Sequence, residues 1–176
     1  MTNLLDRQRA SVRPDHLGHK SRSSQVKRPQ SWKVEKLNEP ERKSAGRLIS
    51  ACGLPEEGLD ETELWCVKGE GRRLLGVAGL ETWGRQGLLR SVAVENEHRK
   101  ARVGTALVRH VISEARKKRM REVYLITETA PLFFERLGFS AIDRSQVRGD
   151  VLNSVEFEGA CPKTAPVMRI DLGVQE

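Results

Sequence analysis

From residue 33 onward the apolar positions recur either every second residue or every third and fourth, and the switches between the two spacings predict the elements. WKVEKLN (32–38) alternates as a short strand, after which Asn38 stands as a helix N-cap with Glu41 three positions on. That helix is expected to run to Gly53 with Ala45, Leu48, Ile49 and Cys52 on its buried stripe. ELWCVKG (63–69), RRLLGVAGLETWG (72–84) and QGLLRSVAV (86–94) are β-rich runs separated by short polar turns, which together predict an antiparallel meander. Ala106, Leu107, Val111, Ile112 and Ala115 mark one face of a helix over about 103–118, and Lys117, Lys118 and Arg119 lie at its C-terminus, where the dipole favours cations. REVYLIT (121–127) follows as a buried strand, so strand, crossover helix and strand make one parallel βαβ step in a mixed sheet. APLFFERLG (130–138) predicts a further helix ending at Gly138, FSAID (139–143) a strand, and PVMRIDL (166–172) the strand that closes the sheet. Residues 144–165 are polar with scattered apolar positions, and a turn or two of helix is expected around 151–157. The whole predicts a single α/β (α+β) domain over 33–176, with a mixed, mostly antiparallel sheet and helices on both faces.

Length and charge refine this picture. A chain of 176 residues suffices for one domain with a real core. The net charge of +7 invites a nucleic-acid reading, but residues 1–32 hold seven Lys/Arg against Asp6 and Asp15, so only +2 remains for the rest. Nucleic acid is therefore not the expected partner. Residues 1–32 have few apolar positions and no periodicity, and are read as a disordered basic tail, a solvated extension rather than a transit peptide. The apolar runs are too short to cross a membrane, and a cytoplasmic protein is expected. Cys52, Cys66 and Cys161 are widely spaced and without a CxxC pair, suggesting neither a disulfide framework nor a metal site.

Candidate chemistry begins at EHRKARVG (97–104). A loop between a strand and a helix N-terminus presents unpaired amides and the positive end of the helix dipole, which suits a phosphate. There is neither a GxxxxGK[ST] nor a GxGxxG with its acidic partner, so the two common nucleotide loops are set aside. The element order, with RKARVGTAL (99–107) and FFERLGF (133–139), resembles the GNAT superfamily of acyl-CoA-dependent N-acyltransferases. More narrowly, AGLETWGRQGLLRSVAV, YLITETAPLFFERLGF, SVEFEGACP and APVMRIDL resemble the arsenic-resistance-associated N-acetyltransferases and the acetyltransferase domain of glutamate N-acetyltransferases.

The resemblance implies that acetyl-CoA is a cosubstrate, with no metal. Its pyrophosphate would lie on Arg99, Lys100, Ala101, Arg102, Val103, Gly104 and Thr105, and its pantetheine along Val92, Ala93 and Val94. The family's middle loop glycine is Arg102 here, which alters the loop but adds a charge suited to phosphate; loss of cofactor binding is the other reading. The tyrosine that serves as general acid in many members is Phe134, and the family's Asn position is Thr127, a candidate substrate contact. Glu81, at a strand end expected to face the open cleft, is the candidate base. Arg90, in the middle of an apolar strand, must meet an anion, either a substrate carboxylate or a structural Glu. The four histidines are expected at the surface, and Cys161 as an inert thiol. The leading expectation is acetyl transfer to the amine of a small molecule, an amino acid of glutamate-like or arsenical type. A catalytically weak acyl-CoA-binding regulator and a protein N-acetyltransferase are the alternatives, and a homodimer is left open.

Overall fold

The computed structural model describes residues 31–173. Almost all of the basic segment 1–32 read as a tail lies outside them. The described residues form one seven-stranded sheet in the order β1-β2-β3-β4-β5-β7-β6. The strands are β1 (Val34–Lys36), β2 (Glu63–Lys68), β3 (Leu74–Trp83), β4 (Gln86–Val94), β5 (Glu122–Ile126), β6 (Ser140–Ile142) and β7 (Val167–Asp171). All neighbours are antiparallel except β4 and β5, joined by the crossover helix α2 (Val103–Lys117). The other helices are α1 (Arg42–Ala51), entered through a 3₁₀ turn at Glu39–Glu41, and α3 (Pro131–Glu135). The helix read from 130–138 is thus confined to five residues, started by Pro131 and followed by Gly138 at φ 97°.

Alternation along β2 shows how the layers divide. Trp65 and Val67 join the cluster under α2 with Leu107, Val108 and Val111, whereas Leu64 and Cys66 join Ala45 and Ile49 of α1. Residues two apart on a strand face the same way, so α1 and α2 cover opposite faces. A third cluster, of Leu88, Tyr124, Val147, Val151, Phe157 and Val167, shows what 144–165 does. Its short turns, Arg144–Gln146, Asp150–Asn153 and the single π turn Glu156–Ala160, carry apolar residues onto the sheet without a regular period.

Two irregularities open the sheet at its centre. Between Val77 and Gly79 the register against β4 moves from Ala93 to Arg90, so β4 holds one extra residue, and Ser91 within it adopts φ 53°. This is a β-bulge, which bends its strand. Pairing between β4 and β5 is confined to Gln86, Gly87 and Leu88 with Glu122, Val123 and Tyr124, and beyond it the strands part. Among the described residues no helix is long and apolar enough to cross a membrane.

Close approach of α2 to β3 rests on Gly76, where a Cβ would stand 2.8 Å from Val103 Cγ1, 3.0 Å from Leu107 Cδ1 and 3.1 Å from the Ala93 carbonyl. Gly76→Ala is therefore expected to destabilise the fold by about 1–3 kcal/mol, a fall in Tm of several degrees by calorimetry. An unchanged Tm would show that the helix and strand are not in such contact.

Candidate active site

The parted strands and the N-terminus of α2 border a cavity of about 790 Å³. Val92 and Val94 of β4 line it from one side, and Leu125 to Thr129, the end of β5 and the residues after it, line it from the other. Ala93, between the two valines, turns to the α1 face and is buried there. The C-terminus of α1 closes one end through Cys52, Gly53 and Leu54, and Cys161 and Pro162 close another.

The loop before α2 forms the cavity's basic rim: Arg99, Lys100, Arg102, Val103, Gly104 and Thr105 all contribute, while Ala101 does not. The first intrahelical bond is Ala106 N–H to the Arg102 carbonyl, at 3.0 Å. The amides of Val103, Gly104 and Thr105 therefore have no acceptor within the helix, and the positive end of the dipole lies at the cavity. Arg102 takes the left-handed conformation, φ 65° and ψ 15°, and Lys100 has φ 71°. Each such residue costs on the order of 1 kcal/mol relative to glycine. Arg102 thus keeps the backbone shape that glycine would supply, at the expense of strain. Arg99 folds back, its Nε 3.4 Å from the Val94 carbonyl and its Nη2 3.8 Å from Cys52 Sγ.

At the deep end lies a buried charge cluster that joins two sequence candidates to a third residue. Arg90 has no exposed side-chain surface and donates from Nη1 to Glu81 Oε1 at 2.5 Å and from Nη2 to the Glu57 carbonyl at 2.6 Å. Its Nε stands 3.3 Å from Glu156 Oε1. Arg90 and Glu156 line the cavity. The expectation that Glu81 faces the open cleft is corrected: it does not line the cavity, and its carboxylate also accepts from Trp83 Nε1 at 3.1 Å. The anion that Arg90 was expected to need is supplied within the chain by two glutamates, which together with the Glu57 carbonyl occupy the fork considered for a substrate carboxylate.

Glu156 is the residue that sequence reasoning missed. Burial pushes its carboxyl up from 4.5 to about 7; Arg90 pulls it down and Glu81 pushes it further up. One guanidinium between two carboxylates leaves a surplus negative charge, and a proton on Glu156 relieves it. The signal available in the sequence was the buried Arg90 itself, but nothing in the spacing tied it to a position 66 residues away.

Thr127 lines the cavity, and its hydroxyl accepts the Ala130 N–H at 3.2 Å, which leaves its own proton free to donate. Cys161 also lines it, with a thiol pushed up to about 11 by burial, so it is protonated and unreactive near neutrality. Phe134 is buried at the cavity wall, whereas Tyr124 is buried in the cluster with Leu88 and Phe157. His98 and His110 are half-buried rather than at the surface as expected: His98 lines the cavity with Nδ1 3.4 Å from Glu95 Oε2, and His110 rests on Trp65. His16 and His19 lie outside the described residues. Among the described residues no cluster of three His, Cys, Asp or Glu could hold a metal.

Comparison with known proteins bears on the fold. No curated protein matches the sequence significantly. Among solved structures, Rv2747 from Mycobacterium tuberculosis, in complex with CoA, is 22% identical with a TM-score of 0.69 over 80% of this chain and 99% of that one. A GNAT acetyltransferase from Staphylococcus aureus is 15% identical with a TM-score of 0.65, over 80% of this chain and 98% of its own. The N-acetylglutamate synthase from Neisseria gonorrhoeae, complexed with coenzyme A and N-acetyl-glutamate, is 17% identical with a TM-score of 0.67; the match covers 80% of this chain and 35% of that one. The described residues have the GNAT fold, and residues 60–141, from the turn before β2 to the middle of β6, match the Acetyltransferase (GNAT) domain.

Proposed function

We propose that this chain is an acetyl-CoA-dependent N-acetyltransferase acting on the amine of a small molecule, with Glu156 as the proton acceptor. The observation that carries the proposal is the buried Glu156 carboxyl, pushed up to about 7, in the same cavity as the α2 loop. The pyrophosphate of the cosubstrate would lie on the loop amides and basic side chains, and its pantetheine arm between β4 and β5. The CoA complexes among the structural neighbours support this placement. Cosubstrate recognition then depends on Val92, Ala93 and Val94 through backbone, and on Arg99, Lys100, Arg102, Val103, Gly104 and Thr105 at the rim.

An ammonium has no lone pair, so the acceptor must lose a proton before attack. Glu156 takes it, and its pKa near the working pH suits both accepting and releasing it. The amine nitrogen then bonds to the thioester carbonyl carbon, and backbone amides beside the Ser91 bulge steady the oxygen as it becomes negative. The C–S bond breaks, and the thiolate takes the second amine proton. A thiol pKa of about 8.5 makes this a tolerable leaving group without a tyrosine at Phe134. Glu156 returns its proton to solvent. Arg90 holds the carboxyl in place, while burial raises its affinity for the proton, Arg90 offsets part of the rise and Glu81 adds to it.

An amino acid or related compound is the acceptor class we favour, on the N-acetyl-glutamate bound by a structural neighbour and on the 144–165 segment covering the deep end. Arsenical amino acids join the panel on sequence resemblance. Thiol release from acetyl-CoA with glutamate, glutamine, arsenical amino acids and peptide N-termini tests the proposal. Release with one class of small amine is expected, and release with peptides alone would contradict it.

Glu156→Gln is expected to lower kcat by about 10²-fold or more and leave the CoA Kd unchanged. In the parent, kcat/KM should rise with pH through an apparent pKa near 7, and this limb should vanish in the variant. A stability test follows from the same shift. The raised pKa means the folded state holds the proton more tightly than the unfolded chain, so the stability gained is complete below about 4.5 and lost as pH rises through about 7. Relative to the parent, Glu156→Gln should therefore gain on the order of 3 kcal/mol between pH 4.5 and 8, measured by denaturant unfolding.

Arg90→Lys separates the two roles considered for Arg90. If it supports Glu156, loss of the planar fork should move the rising limb to higher pH with a small change in amine KM. A raised amine KM with an unmoved limb would instead assign it to a substrate carboxylate.

A further inference from the structure

The turn before α2 is held in a shape its own residues disfavour. Lys100 and Arg102 both have positive φ, and neither is a glycine. Between them, the carbonyl of Ala101 accepts a hydrogen bond from the indole N–H of Trp32 at 2.6 Å, across 69 positions of sequence. The indole is itself anchored, half-buried against the cluster under α2. Ala101 lends no side chain to the cavity, so what the bond fixes is the direction of its carbonyl. In a trans peptide the carbonyl and the following N–H point opposite ways. Holding the Ala101 carbonyl towards Trp32 therefore turns the Arg102 N–H away from it. Among the described residues, that N–H has no backbone acceptor.

We infer that Trp32 is a positioning residue for the phosphate loop: its hydrogen bond does the work of the absent glycine, holding the 100–102 turn so that the loop amides are presented to the pyrophosphate of acyl-CoA. The inference rests on the reading that this loop takes the cosubstrate. It also places Trp32, on the sequence boundary of the basic segment, within the domain.

The test is a double-mutant cycle on the full chain, read as the CoA Kd by calorimetry. Trp32→Phe keeps an aromatic ring and removes the donor, and is expected to weaken CoA about fivefold, the scale of one neutral hydrogen bond. Arg102→Gly relieves one of the two disfavoured positions, leaving only Lys100 at positive φ, so in that background Trp32→Phe should cost clearly less, about twofold. Pantetheine, which lacks the pyrophosphate, should bind parent and Trp32→Phe alike. Equal CoA losses in both backgrounds, equal losses for CoA and pantetheine, or no loss at all would overturn the inference. A parent chain that binds no CoA would overturn the reading of the loop and the inference with it. Should Trp32→Phe fail to fold, β-(3-benzothienyl)alanine at position 32, a bicyclic isostere without the N–H, carries the same expectations.

Discussion

A guanidinium with no exposed surface has to be paired, and the way Arg90 is paired determines how the centre of this molecule is assembled. Its partners come from four places in the chain: Glu81 on β3, the Glu57 carbonyl before β2, Ser91 beside it on β4 and Glu156 on the π turn. Removing one partner from a buried pair costs several kcal/mol, about 3–5 in comparable cases, because the other charge is left buried and unpaired, so these segments have to come together in one arrangement. The segment 144–165, which lacks a helix or strand of useful length, is docked on the sheet by this cluster together with Val147, Val151 and Phe157. The same cluster is what makes Glu156 chemically distinctive. Burial raises the Glu156 carboxyl, Arg90 offsets part of the rise and Glu81 adds to it, so Glu156 keeps its proton to near neutrality.

The bulge at Ser91 gives this cluster an outlet. With an extra residue β4 leaves β5, and the opened seam becomes the wall of a cavity running from the Arg90 cluster to the N-terminus of α2. A strand that stayed paired would have used its backbone amides within the sheet. Parted, β4 and β5 can offer them to an extended ligand, and the helix dipole adds a site for negative charge at the far end. On the proposed reading, binding and proton transfer are served by opposite ends of one opening.

Much of the fold was legible in the sequence because it follows from local pattern. Alternation in 63–69 and 86–94 and the helical stripe from Ala106 to Ala115 correspond to β2, β4 and α2, and the crossover correctly implied one parallel pair. The glycine-poor loop was legible as an anomaly, and Arg102 occupies the left-handed conformation that makes glycine common in such turns. What was not legible depends on contacts between distant residues. Arg90 announced its need for an anion, but its answer lay in Glu156, in a stretch whose apolar residues follow no period. Glu81 was read as facing the cleft from its place at a strand end, and only the packing of Trp83, Thr62 and Arg90 around it shows otherwise. Trp32 was legible as the start of the alternating run 32–38, but its hydrogen bond to the Ala101 carbonyl, 69 positions away, was not.

The central claim is that burial, with Glu81 adding to it and Arg90 opposing it, holds the Glu156 carboxyl at a proton affinity near neutrality. Carbon-13 NMR of protein labelled at glutamate Cδ, with Glu156 assigned by its loss in Glu156→Gln, measures that directly. The account predicts a Glu156 resonance titrating near pH 7, well above the exposed glutamates. A resonance that titrates below about pH 5, in the ordinary carboxylate range, would contradict it.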